Sequence, residues 1–171
     1  AHYNQDEKKW HEEFDEKPHK TPEEEERLDE NELQELLQKR NSFADLPLVN
    51  YTSQYGMGCF EGLKAFPQKD GSIKIFRPDR NAKRMARSMG GLKMPVYPES
   101  MFLEAVKTVV RYNIDIGFVP QYRSEWEKED FLNSWSVYIR PFAYSEAAIG
   151  LGLSVAPYVV IVSTPVGSYF R

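Results

Sequence analysis

Basic side chains are concentrated in one stretch of the sequence, where they could bind a phosphate group. Seven lysines and arginines lie within the twenty positions 74–93, and Asp79 is the only acidic residue among them. On a helix, Arg80, Arg84 and Arg87 would share one face through i+4 and i+3 spacing. Guanidinium groups match phosphate oxygens in bidentate geometry, so this face could hold a phosphate. Composition alone favours an ordinary solvated helix face.

A second candidate site is the glycine-rich segment YGMGCFEGL at positions 55–63. Its three glycines surround Phe60 and Glu61 and would let the backbone approach a ligand closely. Their spacing fits neither the dinucleotide-binding fingerprint nor the P-loop, so no nucleotide site is predicted. Glu61 could act as a general base, but a structural ion pair is the expected role for a single carboxylate. Cys59 is expected to be a small core residue and not a nucleophile.

A third candidate is the pair Tyr138 and Arg140 in the segment SVYIRPF. Two residues apart on a strand, their side chains would lie on one face of a sheet. An arginine in an otherwise apolar strand is costly to bury unless it meets an anion or a carboxylate. The pair therefore points equally to a functional site and to a structural ion pair.

The composition is that of a folded, water-soluble protein. The 171 residues include 22 basic and 26 acidic side chains, and this balance lacks the basic excess of a nucleic-acid binder. A single cysteine excludes an internal disulfide framework and a cysteine-built metal site. The histidines lie in the polar N-terminal region without ligand-like companions, so no metal site is expected: His2, His11 and His19. The first residues lack the pattern of a signal peptide, and we expect a cytoplasmic protein.

The uncharged segment 147–170 is long enough to be considered as a membrane span. Prolines and glycines interrupt it, and its apolar centre is short and rich in β-branched residues. This pattern favours a strand buried on both faces, so no membrane partner is expected.

The N-terminal quarter differs from the rest in charge. Residues 1–45 hold 15 acidic and 7 basic side chains, a net charge of −8, whereas residues 46–171 have a net charge of +4. Residues 1–20 are polar without periodicity, which predicts a loose arm. One helix is expected after them, with Thr21 as its cap, Pro22 in its first turn, and Lys39 and Arg40 at its end.

The remaining sequence predicts an α+β fold. Strands 63–66 and 73–76 alternate in polarity around Asp70-Gly71, a favoured tight-turn pair, and so predict a β-hairpin. Helices are expected over 79–89 and from Pro98 onward, followed by strands in SVYIRPFAY and SVAPYVVIVSTPV. Residues 113–133 form a loop long enough to suggest an insertion. These elements predict helices packed on a small, mostly antiparallel sheet.

Four segments together resemble, in order and spacing, the branched-chain amino-acid aminotransferases: QYGMGCFEGLKAF, KIFRPDRNAKRM, VYIRPF and STPVGSYF. These are pyridoxal-phosphate enzymes of fold type IV, and the resemblance runs from about Leu48 to Phe170. It implies the small domain of that fold, a mostly antiparallel sheet with packed helices. Residues 1–45 do not resemble the family's usual N-terminal strands, and the loop 113–133 is longer than the common form.

The resemblance also implies roles for individual residues. Arg84 matches the arginine that binds the phosphate of pyridoxal 5'-phosphate. Tyr55 and Phe60 match aromatic residues that line the side-chain pocket of the substrate. Tyr138 and Arg140 match a pair that reaches the active site, in the family often that of the partner subunit, and Tyr169 matches a tyrosine near the domain junction that borders the pocket. Lys64 matches a small-domain position, whereas the family's Schiff-base lysine lies in the large domain, beyond the segment where this sequence ends.

The implied parent protein is a homodimeric transaminase that transfers the amino group of leucine, isoleucine or valine to 2-oxoglutarate. Its implied division is an acidic arm and helix over 1–45, a small domain over 46–160 and an interdomain connection over 161–171. The large catalytic domain would be absent, so this chain alone is expected to be inactive.

Two alternatives remain open at the level of sequence. The first is a D-amino-acid transaminase or an aminodeoxychorismate lyase relative, although the segments FEGLKAF and YIRPF argue against both. The second is a non-catalytic module that binds a phosphorylated ligand or a partner subunit through Arg80, Arg84 and Arg87.

Overall fold

A computed structural model describes most of the chain, namely residues 1–13, 20, 22–25, 27–41, 47–129, 131–132 and 134–167. The expected helix cap Thr21 and the expected pocket residue Tyr169 lie outside these described residues. The strands are β1 (His2–Asn4), β2 (Lys9–His11), β3 (Cys59–Phe60), β4 (Leu63–Pro67), β5 (Ile73–Ile75), β6 (Ser136–Tyr144) and β7 (Tyr158–Val166). The helices are α1 (Pro22–Glu25), α2 (Glu30–Asn41), α3 (Tyr51–Tyr55), α4 (Pro78–Gly91), α5 (Glu99–Asp115) and α6 (Glu125–Lys128).

The strands form one sheet in the order β2-β1-β7-β6-β4-β5, with β3 beside β6. Each of these pairings is antiparallel. Strands β6 and β7 form the longest ladder, from the pair Ser136–Val166 to the pair Tyr144–Tyr158. Helices α4 and α5 pack together, and α5 packs on β7. The expected α+β architecture with a mostly antiparallel sheet is confirmed.

The core lies between these two helices and the sheet. Apolar side chains from α4, α5 and β6 are almost fully buried there: Met85, Met89, Phe102, Val106, Val137 and Ile139. The i, i+4 spacing of Met85 and Met89 turns one side of α4 towards the sheet and leaves its basic residues towards solvent. The core therefore fixes which side of α4 is available to a ligand.

The predicted β4–β5 hairpin and both predicted helices are confirmed. The turn places Gly71 at a φ of +80°, a left-handed conformation that glycine adopts without steric cost. Helix α4 has a proline in its first turn and extends to Gly91, and α5 begins directly after Pro98. Local sequence signals were sufficient for these elements.

The expected loose arm over residues 1–20 is wrong for its first part. Strands β1 and β2 form a hairpin, and His2 of β1 pairs with Tyr158 of β7. The ring of Trp10 meets Tyr97 edge-on at 4.9 Å, and its Nε1 donates to the carbonyl oxygen of Val96 at 3.0 Å. These long-range contacts hold strands that are too short to show any periodicity.

The single helix expected over residues 22–40 is also wrong, because α1 ends at Glu25 and α2 begins at Glu30. Asp29 accepts a hydrogen bond from the backbone of Glu32, and the Glu32 side chain accepts one from the backbone of Asp29. This reciprocal capping box starts a new helix.

Two expectations for the second half of the chain need correction. Strand β7 is not buried on both faces, because Val159 is its only fully buried residue and Thr164 is exposed. The predicted loop 113–133 contains the last turn of α5 and the short helix α6. Among the described residues, no helix is both long and apolar enough to cross a membrane.

Candidate functional site

A buried carboxylate and an exposed guanidinium form the centre of the candidate site. Glu61 follows β3 and is only 3% exposed. Its backbone N–H donates to the carbonyl oxygen of Pro141 at 2.8 Å and holds the segment against β6. Arg84 of α4 donates from Nε to Glu61 Oε1 at 2.6 Å and from Nη2 to Oε2 at 2.5 Å. The Asn81 side chain, about one helical turn earlier, donates to the same Oε2 at 2.8 Å. Three donors therefore compensate the burial of one carboxylate.

The fork between Arg84 and Glu61 leaves part of the guanidinium available. The Arg84 side chain is 59% exposed, and these two bonds use only two of its five N–H groups. The hydrogen bonds and the charge of Glu61 raise the pKa of Arg84, so it stays cationic. Among the described residues, no other acceptor is bonded to this arginine. Its remaining N–H groups can take the oxygens of an anion while Glu61 holds the orientation.

The structure separates Arg84 from the neighbouring arginines of the predicted basic face. Arg80 lies 3.7 Å from Asp79, which also pairs with Arg77 at 3.1 Å. Arg87 is exposed on the helix surface. Among the hydrogen bonds of the described residues, those from these three arginines to the glycine-rich segment come from Arg84.

A second cluster joins Phe60, Tyr138 and Arg140. The guanidinium carbon of Arg140 lies 4.3 Å from the centre of the Phe60 ring and 5.2 Å from that of Tyr138. Arg140 also donates from Nη2 to the Tyr138 hydroxyl. The register places Phe60 opposite Phe142, two residues beyond Arg140 on β6. The arginine thus lies beside two aromatic rings, and no carboxylate of the described residues forms an ion pair with it.

Gly62 permits this arrangement and was not singled out from the sequence. A Cβ atom at position 62 would lie 2.6 Å from the Tyr138 hydroxyl oxygen, which is closer than any real contact of this kind. The density of glycines in the segment was the available signal for such a close approach. Asn81, the other residue missed, had no sequence signal that would distinguish it from a helix surface residue.

Tyr55 is another residue predicted to line the substrate pocket. Tyr55 ends α3, half exposed, and its ring lies against Tyr51 with 6.4 Å between the ring centres. The described contacts do not join it to the Arg140 cluster. The pocket roles of Tyr55 and Tyr169 therefore stay predictions.

Cys59 is partly buried in β3, His2 and His11 lie in β1 and β2, and His19 lies outside the described residues. Burial, together with the charge of Glu61, raises the pKa of the Cys59 thiol to about 11, so the thiol is protonated at neutral pH. The rings of His2 and His11 stack with their centres 5.3 Å apart. Within the described ranges, no group of three or more His, Cys, Asp or Glu side chains could hold a metal ion.

Comparison with known sequences finds several relatives with similar names. The chain is 40% identical over 119 residues to the branched-chain-amino-acid aminotransferase of Haemophilus influenzae, covering 68% of this chain and 31% of the relative. It is 38% identical over 117 residues to branched-chain-amino-acid transaminase 1 of Bacillus subtilis, covering 68% of this chain and 30% of the relative. The chain thus spans about three tenths of the length of these relatives. No protein-family model matches it.

Comparison with solved structures finds proteins of the same kind as the sequence comparison. The branched-chain aminotransferase of Thermoproteus uzoniensis with norvaline superposes with a TM-score of 0.57 at 27% identity, covering 75% of this chain and 38% of that one. The branched-chain amino acid aminotransferase of Thermobaculum terrenum in its PLP-form gives a TM-score of 0.50 at 25% identity, covering 71% of this chain and 35% of that one. By sequence and by fold, the chain belongs to the branched-chain aminotransferases of fold type IV.

Proposed function

We propose that this chain supplies the phosphate-binding arginine and part of the substrate pocket of a pyridoxal-phosphate-dependent transaminase. The reaction would transfer the amino group of leucine, isoleucine or valine to 2-oxoglutarate. The observation that carries the proposal is the exposed guanidinium of Arg84, held in a fixed orientation by the buried carboxylate of Glu61. The membership of the chain in the branched-chain aminotransferases supports the choice of reaction.

The residues present fit the phosphate of pyridoxal 5'-phosphate. A phosphate needs a fixed cation with paired donors, and the free N–H groups of Arg84 provide them. When bound, the cofactor would supply the electron sink for reaction at the α-carbon of an amino acid. The task of Glu61 and Asn81 would be to orient Arg84. Glu61 accepts hydrogen bonds from Arg84 and from Asn81, and both Glu61 and Asn81 are buried.

The second cluster fits the two ends of the substrates. Arg140, with the Tyr138 hydroxyl beside it, would bind a carboxylate, and the exposed face of Phe60 would contact an aliphatic side chain. Tyr55 and Tyr169 would complete the apolar wall. We propose these roles together, because an aliphatic amino acid and a dicarboxylic oxo acid must bind in turn in the same pocket.

We further propose that the intact protein is a homodimer. The loop after β6 exposes large apolar side chains, with Ile149 at 83% and Leu151 at 97%, and Leu48 at 81% precedes α3. The backbone of Ala148 is bonded to that of Val49, which brings the two segments together. Exposed apolar patches of this kind mark interaction surfaces. The cytoplasmic location and the division at residues 45 and 160 also remain proposals.

The test is a substrate panel on the intact protein that carries this chain. We expect glutamate to form from 2-oxoglutarate with leucine, isoleucine and valine, and much faster than with D-alanine. Faster turnover with D-alanine, or none with the three branched substrates, would contradict the proposal. The 171-residue chain alone is expected to give no turnover, because none of its lysines lies in the family's Schiff-base motif.

A further inference from the structure

A cavity of about 400 Å³ lies at the turn end of the β4–β5 hairpin. It is bounded by residues 66–69 on one side and by the segment around α6 on the other. The residues that line the cavity include none of Glu61, Asn81 and Arg84, so it does not share its walls with the proposed phosphate site. Its volume lies in the range of small-molecule binding sites. Five aromatic side chains line it: Phe66, Tyr122, Trp126, Phe131 and Trp135.

The walls of the cavity combine one anchored ring with several accessible ones. Trp126 is only 6% exposed, and Tyr122 meets it edge-on with 5.8 Å between the ring centres. Phe131 and Trp135 are about half exposed, although they face a concave site. Phe131 also has a φ of +60°, a left-handed conformation that is unfavourable for an aromatic residue. Such an outlier suggests that the position of its ring serves a purpose.

The cavity carries a carboxylate with an easily replaced partner. Oε1 of Glu127 accepts hydrogen bonds from the Tyr122 hydroxyl and from Lys69 Nζ at 3.3 Å. These bonds lower the pKa of Glu127, so the group is ionised at neutral pH. The Lys69 side chain is 76% exposed, and an ion pair this open to water contributes little to stability. Another cation can therefore take its place.

We propose that this aromatic cavity binds a small organic cation of the quaternary or methylated ammonium class, with Glu127 as its counter-ion. Aromatic faces carry partial negative charge and attract ammonium groups, most strongly at tryptophan. The ligand would replace the Lys69 ammonium beside Glu127 and bury its methyl groups against the rings of Trp126 and Trp135. The proposal concerns a different part of the molecule from the transaminase site and does not depend on it.

The experiment compares choline with its uncharged carbon analogue, 3,3-dimethylbutan-1-ol, by calorimetric titration of the intact protein. The two probes have nearly the same shape, so their difference measures the contribution of the charge. We expect choline to bind at least tenfold more tightly than the alcohol. Equal affinity would overturn the assignment of a cation, and no binding of either probe at millimolar concentration would overturn the site.

Variants separate the two contributions. Trp135→Ala and Glu127→Gln are each expected to weaken choline binding at least fivefold, whereas Lys69→Gln should tighten it because the competing ammonium is removed. Trp10→Phe, at the far N-terminal hairpin, is the control and should leave the affinity unchanged. Weaker binding by Lys69→Gln, or unchanged binding by Trp135→Ala, would contradict the proposal.

Discussion

Glutamine in place of Glu61 tests the buried ion pair at the centre of the candidate site. The carboxylate is 3% exposed and accepts hydrogen bonds from Arg84 at 2.6 and 2.5 Å and from Asn81 at 2.8 Å. Glutamine has nearly the same shape but only one acceptor oxygen. Its amide nitrogen would therefore face an N–H donor of Arg84 or Asn81 where the second oxygen now accepts.

The magnitude follows from the exposure of the two partners. A hydrogen bond to a charged group contributes about 1.5–3 kcal/mol. In the variant, water can replace part of the lost hydrogen bonding of Arg84, because its side chain is 59% exposed. The neutral amide also costs less free energy to bury than a carboxylate. We expect Glu61→Gln to lower the free energy of unfolding by about 2 kcal/mol.

Thermal and urea unfolding of the intact protein, followed by circular dichroism, measure the effect. The matched control is Glu104→Gln, because Glu104 pairs with Lys107 at 2.7 Å while both side chains are more than half exposed. That control should change stability by less than about 0.5 kcal/mol. If the two variants unfold at the same midpoint, a buried carboxylate stabilised by three hydrogen bonds is refuted.

Two further predictions concern neighbouring residues. Gly62→Ala places a methyl group 2.6 Å from the Tyr138 hydroxyl, so the end of that side chain must shift, and should cost about 1 kcal/mol in urea unfolding. Gly91→Ala has no atom within 4 Å and should be neutral or slightly stabilising, so an equal loss in both variants would contradict the packing argument. The raised pKa of Cys59, about 11 against a usual 9.0, lowers its thiolate fraction at pH 8 by about 100-fold. The rate of iodoacetamide labelling of Cys59, quantified by mass spectrometry, should be correspondingly slower in the native protein than in urea. In the native protein this rate should increase with pH up to about pH 11. Equal rates in the two conditions at pH 8 would show that the thiol is not shielded.

The elements predicted correctly from the sequence are those with local signals. Alternating polarity on both sides of Asp70-Gly71 was enough for the β4–β5 hairpin, and apolar spacing was enough for α4 and α5. The N-terminal hairpin had no such signal, because its strands have three residues each and are held by β7, more than 150 positions away. The break between α1 and α2 was missed because Asp29 and Glu32 are inconspicuous in an acidic run.

The candidate site was only partly predictable for a similar reason. Spacing alone could not choose among Arg80, Arg84 and Arg87, and the contact of Arg84 with Glu61 joins residues 23 positions apart. The unusual length of the segment 113–133 was visible in the sequence. That its aromatic side chains line the same cavity as Phe66 of a distant hairpin depends on how α6 packs, and no local sequence pattern predicts this.

The affinity of the intact protein for pyridoxal 5'-phosphate, measured in Arg84→Lys and in Arg87→Lys, is the most direct test of the central claim. Lysine keeps the charge but not the paired donors, so we expect Arg84→Lys to bind the cofactor at least about tenfold more weakly. Arg87 is exposed on the same helix and does not contact Glu61, so Arg87→Lys should bind within about twofold of the unaltered protein. Equal affinity of the two variants would contradict the assignment of Arg84 as the phosphate-binding residue.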